Sequence, residues 1–149
     1  MGFITRLLGR MFGLEQFGRI VLTQDATTQV VGFARRAHPN EFSALLGGSI
    51  RDKTLYLTHI IYQHFEATER SATMHIDTPV TAGARGTVHS HPSHDNLPSA
   101  ADKRFFNKYS MPNFIIAHPY LPSTIACYDG TAGRYHSRLW GSTKHIIGN

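Results

Sequence analysis

The chain has 149 residues, 41% of them hydrophobic and 17% charged, a balance that suits one globular domain and excludes wholesale disorder. Fifteen Lys and Arg against ten Asp and Glu leave a formal charge of +5, which fits nucleic acid, anionic lipid or an acidic protein without choosing among them. A single cysteine, Cys127, excludes an intrachain disulfide and points to the reducing cytoplasm, while ten histidines raise the expectation of metal or proton chemistry.

Residues 1–16 open with Phe3, Ile4, Leu7, Leu8, Met11 and Phe12 at helical spacing, with Arg6 and Arg10 on the other side. This amphipathic, basic segment reads as a helix packed on its own domain or in an oligomer in preference to one lying on a membrane surface. It is too interrupted for a signal peptide, and Arg6 stands where an N-myristoylation motif needs Ser or Thr. No apolar run approaches the roughly 20 residues that span a bilayer. A second helix is predicted over 25–37, with Asp25 as its cap and His38-Pro39-Asn40 as its stop. Strand-like runs follow at 42–50, 54–62, 72–77 and 87–90, then a Pro-, Ser- and Asn-rich loop at 92–98. Ser99 caps a helix over 100–108, and strands are expected at 113–118, 124–128 and 135–140. The sum is a mixed α/β domain with about six or seven strands and two or three helices.

One constellation carries chemistry. His89 and His91 end a strand, and alternation puts both imidazoles on one face, where they can share a cation. Pro92 closes that strand. Asp102 lies in the first turn of the helix that Ser99 caps, on the same side as Ser99. Two neutral imidazoles and one carboxylate suit zinc, and three protein ligands leave a fourth position for water, the pattern of a catalytic site. A His-x-His pair alone is weak evidence. The unbroken run His89-Ser90-His91-Pro92, then Ser99 after seven residues from His91, then Asp102, is far more specific.

That run resembles the JAMM (MPN+) zinc metallopeptidases, whose signature is His-Ser/Thr-His-x7-Ser-x-x-Asp. The likeness extends upstream, where Glu41-Phe42-Ser43-Ala44-Leu45-Leu46-Gly47-Gly48 is similar to the family's Glu-x-x-x-Leu-Leu-x-Gly segment, and it spans about residues 25–140. Gly86-Thr87-Val88-His89-Ser90-His91-Pro92 looks like archaeal members. The resemblance implies a single MPN-type (cytidine-deaminase-like) domain over 17–149, with a central curved mixed sheet flanked by helices. It also implies one Zn2+ per chain on His89, His91 and Asp102, Glu41 as general acid/base, and Ser99 as hydrogen-bond donor to the oxyanion.

The activity so implied is hydrolysis of the amide bond after the Gly-Gly C-terminus of a ubiquitin-like modifier or sulfur-carrier protein. The stretches 75–89 and beyond Lys108 are short beside the insertions with which larger members grip ubiquitin, which favours a minimal prokaryotic or archaeal-type enzyme. Two other readings are open: a zinc peptidase for sulfur-carrier adducts, cell-wall or phage peptides, and a non-catalytic module that binds protein or nucleic acid. The complete ligand set speaks against the last, so nucleic acid is not the expected partner. Cys127, in an apolar run, reads as a core residue. His38, His59, His64, His75, His118, His136 and His145 read as surface, core or supporting groups; His94, on the loop beside the proposed metal, reads as solvated or as a contact to substrate.

Overall fold

The computed structural model describes residues 17–65, 83–108, 111–135 and 140–142. Its first element, β1 (Arg19–Leu22), has no counterpart among the predicted strands, because three apolar residues after Arg19 are too few to show an alternation. Helix α1 (Gln24–Ala37) occupies the span predicted from 25 to 37. Its cap is Thr23, whose hydroxyl accepts from the Ala26 N–H at 3.3 Å, and Asp25 instead lies in the first turn, where its charge complements the helix dipole. Ala26, Val30 and Ala34, four residues apart, form the buried stripe. The helix ends where the His38 N–H reaches back to the Ala34 carbonyl at 3.2 Å and Pro39 follows.

Strands β2 (Phe42–Arg51) and β3 (Thr54–Phe65) form a hairpin across Asp52 and Lys53. Both turn residues have positive φ, 47° and 58°, the two-residue geometry that follows the natural twist of paired strands. Register shifts at Leu45/Leu46 and Gly47/Gly48 add local twist and curl the sheet. Strand β4 (Ala84–His91) leads through the loop into helix α2 (Ala100–Lys108). Strand β5 (Asn113–Ala117), a 3-10 turn at Pro122–Thr124, strand β6 (Ile125–Tyr128) and strand β7 (Trp140–Ser142) complete the order.

Two expectations shift here. Thr124 belongs to the 3-10 turn, its hydroxyl donating to the Ala117 carbonyl at 2.7 Å, so β6 starts one residue later. Tyr135 does not open a strand running to 140; its N–H bonds the Cys127 carbonyl at 2.9 Å, β7 begins at Trp140, and 136–139 lie outside the described residues. The expected helix within 1–16 and the strand at 72–77 also lie outside them.

Among the described residues seven strands form one sheet in the order β6-β5-β4-β2-β3-β1-β7. Pairing is parallel at β4/β5, β1/β3 and β1/β7, and antiparallel at β2/β3, β2/β4 and β5/β6. Helices α1 and α2 cover opposite faces. Ala26, Val30 and Ala34 of α1 pack with Leu46, Leu57, Val88, Phe114 and Ile116, whereas Phe106 of α2 packs with Ile115, Ala126 and Tyr128. Strand β5 is buried on both faces, which is why its sequence Asn-Phe-Ile-Ile-Ala shows no polar alternation. The mixed α/β domain with a curved sheet between helices is thus the observed architecture. Among the described residues no helix is long and apolar enough to cross a membrane.

Candidate metal centre

Strand β4 lies inside the sheet between β2 and β5 and carries both histidines to its C-terminal end. Alternation holds as expected: Val88 and its face belong to the α1 core, while the His89 ring meets Phe106 of α2 at 6.1 Å between centroids. The side of the sheet that carries the imidazoles is therefore the side on which α2 delivers Asp102. Ser90, between the two histidines, points the other way and accepts the Phe42 N–H at 2.9 Å.

Helix α2 begins with a reciprocal cap. The Asp102 N–H donates to Ser99 Oγ at 3.1 Å, and the Ser99 N–H donates to Asp102 Oδ2 at 2.7 Å. This pair aims the carboxylate back toward the strand end. Asp102 Oδ1 stands 3.0 Å from His89 Nε2, Asp102 Oδ2 stands 3.3 Å from His91 Nε2, and the two Nε2 atoms are 3.1 Å apart. Zinc–ligand bonds of about 2.0–2.1 Å at tetrahedral angles set ligand atoms about 3.3 Å apart. The two Nε2 atoms have that spacing, and one carboxylate oxygen of Asp102 faces each of them, so the donor atoms of all three residues lie within 4.8 Å of one another, close enough to hold one metal ion.

The His91 tautomer fits as well. His91 Nδ1 lies 2.9 Å from the Asp95 carbonyl oxygen, which accepts only, so Nδ1 carries the proton and a neutral His91 offers its Nε2 lone pair. The loop that supplies this carbonyl is itself tied down. Asn96 Nδ2 donates to the Thr124 carbonyl at 3.0 Å, and the Tyr128 hydroxyl donates to the Asn96 carbonyl at 2.8 Å. Burial pushes the Asp102 carboxyl up, but hydrogen bonds from His89 and His91, the charge of His89 and a hydrogen bond with Ser99 outweigh it and hold the group well below the usual carboxylate range. Burial pushes His91 down, and this is overcome by Asp102, the Asp95 carbonyl and Glu41, which leave it above its ordinary 6.5. Among the described residues His89, His91 and Asp102 are the one such group of His, Cys, Asp and Glu side chains whose donor atoms converge.

Glu41 immediately precedes β2 and is half-buried. Ser43 pairs with His89 in the antiparallel register, which brings the start of β2 beside the histidine end of β4, and the charge of Glu41 is among those acting on the His91 ring. Cys127 is fully buried in the core, with its thiol pushed well above the ordinary value chiefly by burial. His94 is exposed on the loop, with its ring 4.8 Å from that of His118.

Sequence reasoning missed one neighbourhood. His38, His94, His118 and Tyr120 come together from α1, the loop before α2 and the turn after β5. His38 and Tyr120 are 82 positions apart, and no local pattern links them. Desolvation, then the adjacent His94 and His38, push the His118 imidazole below its ordinary 6.5, which keeps this ring neutral near pH 7.

Residues 23–136 match the family model described as prokaryotic homologs of the JAB domain. No curated protein sequence matches the chain. Among solved structures, one reporting JAMM as a metalloprotease-like zinc site in the proteasome and signalosome is similar with a TM-score of 0.63 and 23% identity, covering 85% of this chain and 99% of that one. A JAB1/MPN domain protein from Archaeoglobus fulgidus is similar with a TM-score of 0.63 and 24% identity, covering 84% of this chain and 98% of that one. A protein from Desulfitobacterium hafniense is similar with a TM-score of 0.59 and 21% identity, covering 86% and 95%. At these identities the structures speak for the fold, and the family match spans most of the chain. The chain belongs to the prokaryotic JAB-domain family.

Proposed function

We propose that this protein is a zinc-dependent peptidase that hydrolyses the peptide or isopeptide bond following the Gly-Gly C-terminus of a ubiquitin-like modifier or sulfur-carrier protein. The observation that carries the reading is the convergence of His89, His91 and Asp102 at 3.0–3.3 Å, and the charge of Glu41 acting on His91 supports its part in it. Two imidazoles and a carboxylate would hold one Zn2+ per chain. When bound, zinc supplies Lewis acidity toward water and an amide carbonyl.

The remaining chemistry belongs to the chain. Glu41 takes a proton from the attacking water and returns it to the leaving amine, a transfer that needs a carboxylate within reach of both. Ser99 Oγ uses a lone pair to accept from the Asp102 N–H, and its own O–H is free to turn from the Asp102 carboxylate toward the substrate carbonyl oxygen as charge grows there. Cap and oxyanion donor are therefore compatible uses of one hydroxyl. His91, oriented by the Asp95 carbonyl, and Asp102, oriented by Ser99, keep their donor atoms aimed at one point without reorganisation. A thin diglycine tail suits a narrow approach to such a centre, where bulkier residues are rejected sterically.

The test is cleavage of a ubiquitin-like protein extended by a short peptide past Gly-Gly, with a Gly-Gly-ended sulfur-carrier fusion beside it. Wild type should release the extension, and Glu41→Ala should retain zinc while losing roughly 100-fold or more in rate. Zinc-loaded wild type that leaves every Gly-Gly fusion intact would remove the substrate assignment.

A further inference from the structure

The turn after β5 touches both halves of the site. The His118 N–H is shared between the His91 carbonyl at 3.1 Å and the Ser93 carbonyl at 3.0 Å, so it clasps the end of the strand that presents the metal ligands. Two residues on, Tyr120 is buried, with 3% of its surface exposed, and its φ is 60°, a left-handed conformation that bulky side chains rarely adopt. That backbone is held by the Tyr120 N–H donating to the Ala117 carbonyl at 2.8 Å. It points the phenol at the segment that carries Glu41. The Tyr120 hydroxyl and His38 Nδ1 are hydrogen-bonded at 2.8 Å, the direction being set by the His38 tautomer.

His38 is the C-cap of α1 and stands three residues before Glu41. The short link from 38 to 42 is pinned on both sides of Glu41: His38 by Tyr120, the Asn40 N–H by the Ala37 carbonyl at 2.8 Å, and the Phe42 N–H by Ser90 Oγ at 2.9 Å. The His38, His118 and Tyr120 rings pack together at 5.1–5.7 Å between centroids. One turn thus grips the ligand-bearing strand through its backbone and the Glu41 link through a side chain. A tyrosine held in a disfavoured backbone conformation to make a single polar contact points to a positional demand at the other end of that contact.

We propose that Tyr120 and His38 are positioning residues that hold Glu41 in register with the metal centre. The inference rests on the reading of Glu41 as the acid/base. Neither side chain touches the reacting atoms in this account; they fix where the carboxylate sits, and displacement by about 1 Å is enough to slow a reaction by up to roughly 100-fold.

The experiment uses the full, zinc-loaded chain as wild type, Tyr120→Phe, His38→Ala and the double variant. Four quantities are measured: kcat and KM on the Gly-Gly fusion, zinc content, melting temperature, and the titration of the Glu41 carboxyl by carbon NMR. Tyr120→Phe keeps the buried ring and removes only the hydroxyl. Each single variant should lose roughly tenfold in kcat with KM and zinc content unchanged, and should displace the Glu41 titration from its wild-type position. The double variant should be no slower than the slower single one, since both residues serve the same hydrogen bond. A Tyr120→Phe protein with wild-type kcat and wild-type Glu41 titration would overturn the proposal, as would a kcat loss that tracks loss of zinc or of fold. If wild type cleaves no fusion, the substrate assignment falls on its own. The Glu41 titration then decides the positioning role, displaced in support and unchanged against.

Discussion

A proton and a zinc ion compete for the same lone pair on His91. With no metal bound, Asp102, the Asp95 carbonyl and Glu41 overcome the effect of burial and raise the imidazole above 6.5. A raised pKa means that the protonated ring stabilises the metal-free fold; that contribution is complete below 6.5 and is lost as pH rises through the folded value. Zinc needs the deprotonated ring, so its apparent affinity should weaken as pH falls, and the decline should begin above 6.5 instead of below it. Calorimetric zinc titrations between about pH 5 and pH 8 check this, and an affinity that stays flat across the range would refute it. Asp102 adds no competing proton over that range, because His89, His91 and Ser99 hold its carboxyl low against the effect of burial. At this scale the sequence was readable wherever a residue's role depended on its near neighbours. The i, i+2 spacing of the histidines and the Ser99-x-x-Asp102 cap both appear as read. Tyr120 and His38 were opaque because their hydrogen bond joins positions 82 apart.

Among the elements, the hairpin of β2 and β3 explains why the stretch after Glu41 ends in glycine. A Cβ on Gly48 would stand 1.9 Å from the Tyr56 carbonyl oxygen and 3.0 Å from Leu57 Cα, both backbone atoms that cannot swing aside. Gly48→Ala should therefore destabilise the protein by about 3 kcal/mol, by forcing the two strands apart at the bulge. Gly18, where an added Cβ meets nothing within 4 Å, is the control, and Gly18→Ala should change stability by less than about 0.5 kcal/mol. Urea unfolding of the two variants separates these outcomes, and equal midpoints would contradict the packing argument. The same hairpin shows what element-level reading can reach. Spans with a strong period or a clear stop were legible: α1 ended at His38-Pro39, α2 began at Ser99, and β2 ran almost to the Asp52-Lys53 turn. Short strands were not. β1 has only four residues, held as a strand by pairing with β3, and the start of β6 is decided by a hydroxyl that reaches Ala117. Thr23 took the cap from Asp25 because a single side-chain bond decides that position, and either residue type can make it.

Across the whole molecule, the fold brings four separate stretches of chain to one end of the central strands. The segment before β2 brings Glu41, β4 brings His89 and His91, α2 brings Asp102, and the turn after β5 braces the arrangement. The sheet order β6-β5-β4-β2-β3 makes this possible by seating β4 between β2 and β5, so that both partners of the histidine strand contribute to the site. Strand order is the property that local patterns express least, since the β4/β5 and β1/β3 pairings are parallel and need long crossovers. The motif succeeded here because its spacing already encodes that geometry. Everything in the account depends on the triad being a metal centre, and the direct measurement is zinc content. Purified wild-type chain and Asp102→Ala are loaded with zinc, passed over a desalting column and analysed by elemental mass spectrometry. One zinc per wild-type chain and far less than one in the variant, with both proteins folded, is the predicted result. A wild-type chain that keeps no zinc, or an Asp102→Ala chain that keeps as much as wild type, would contradict it.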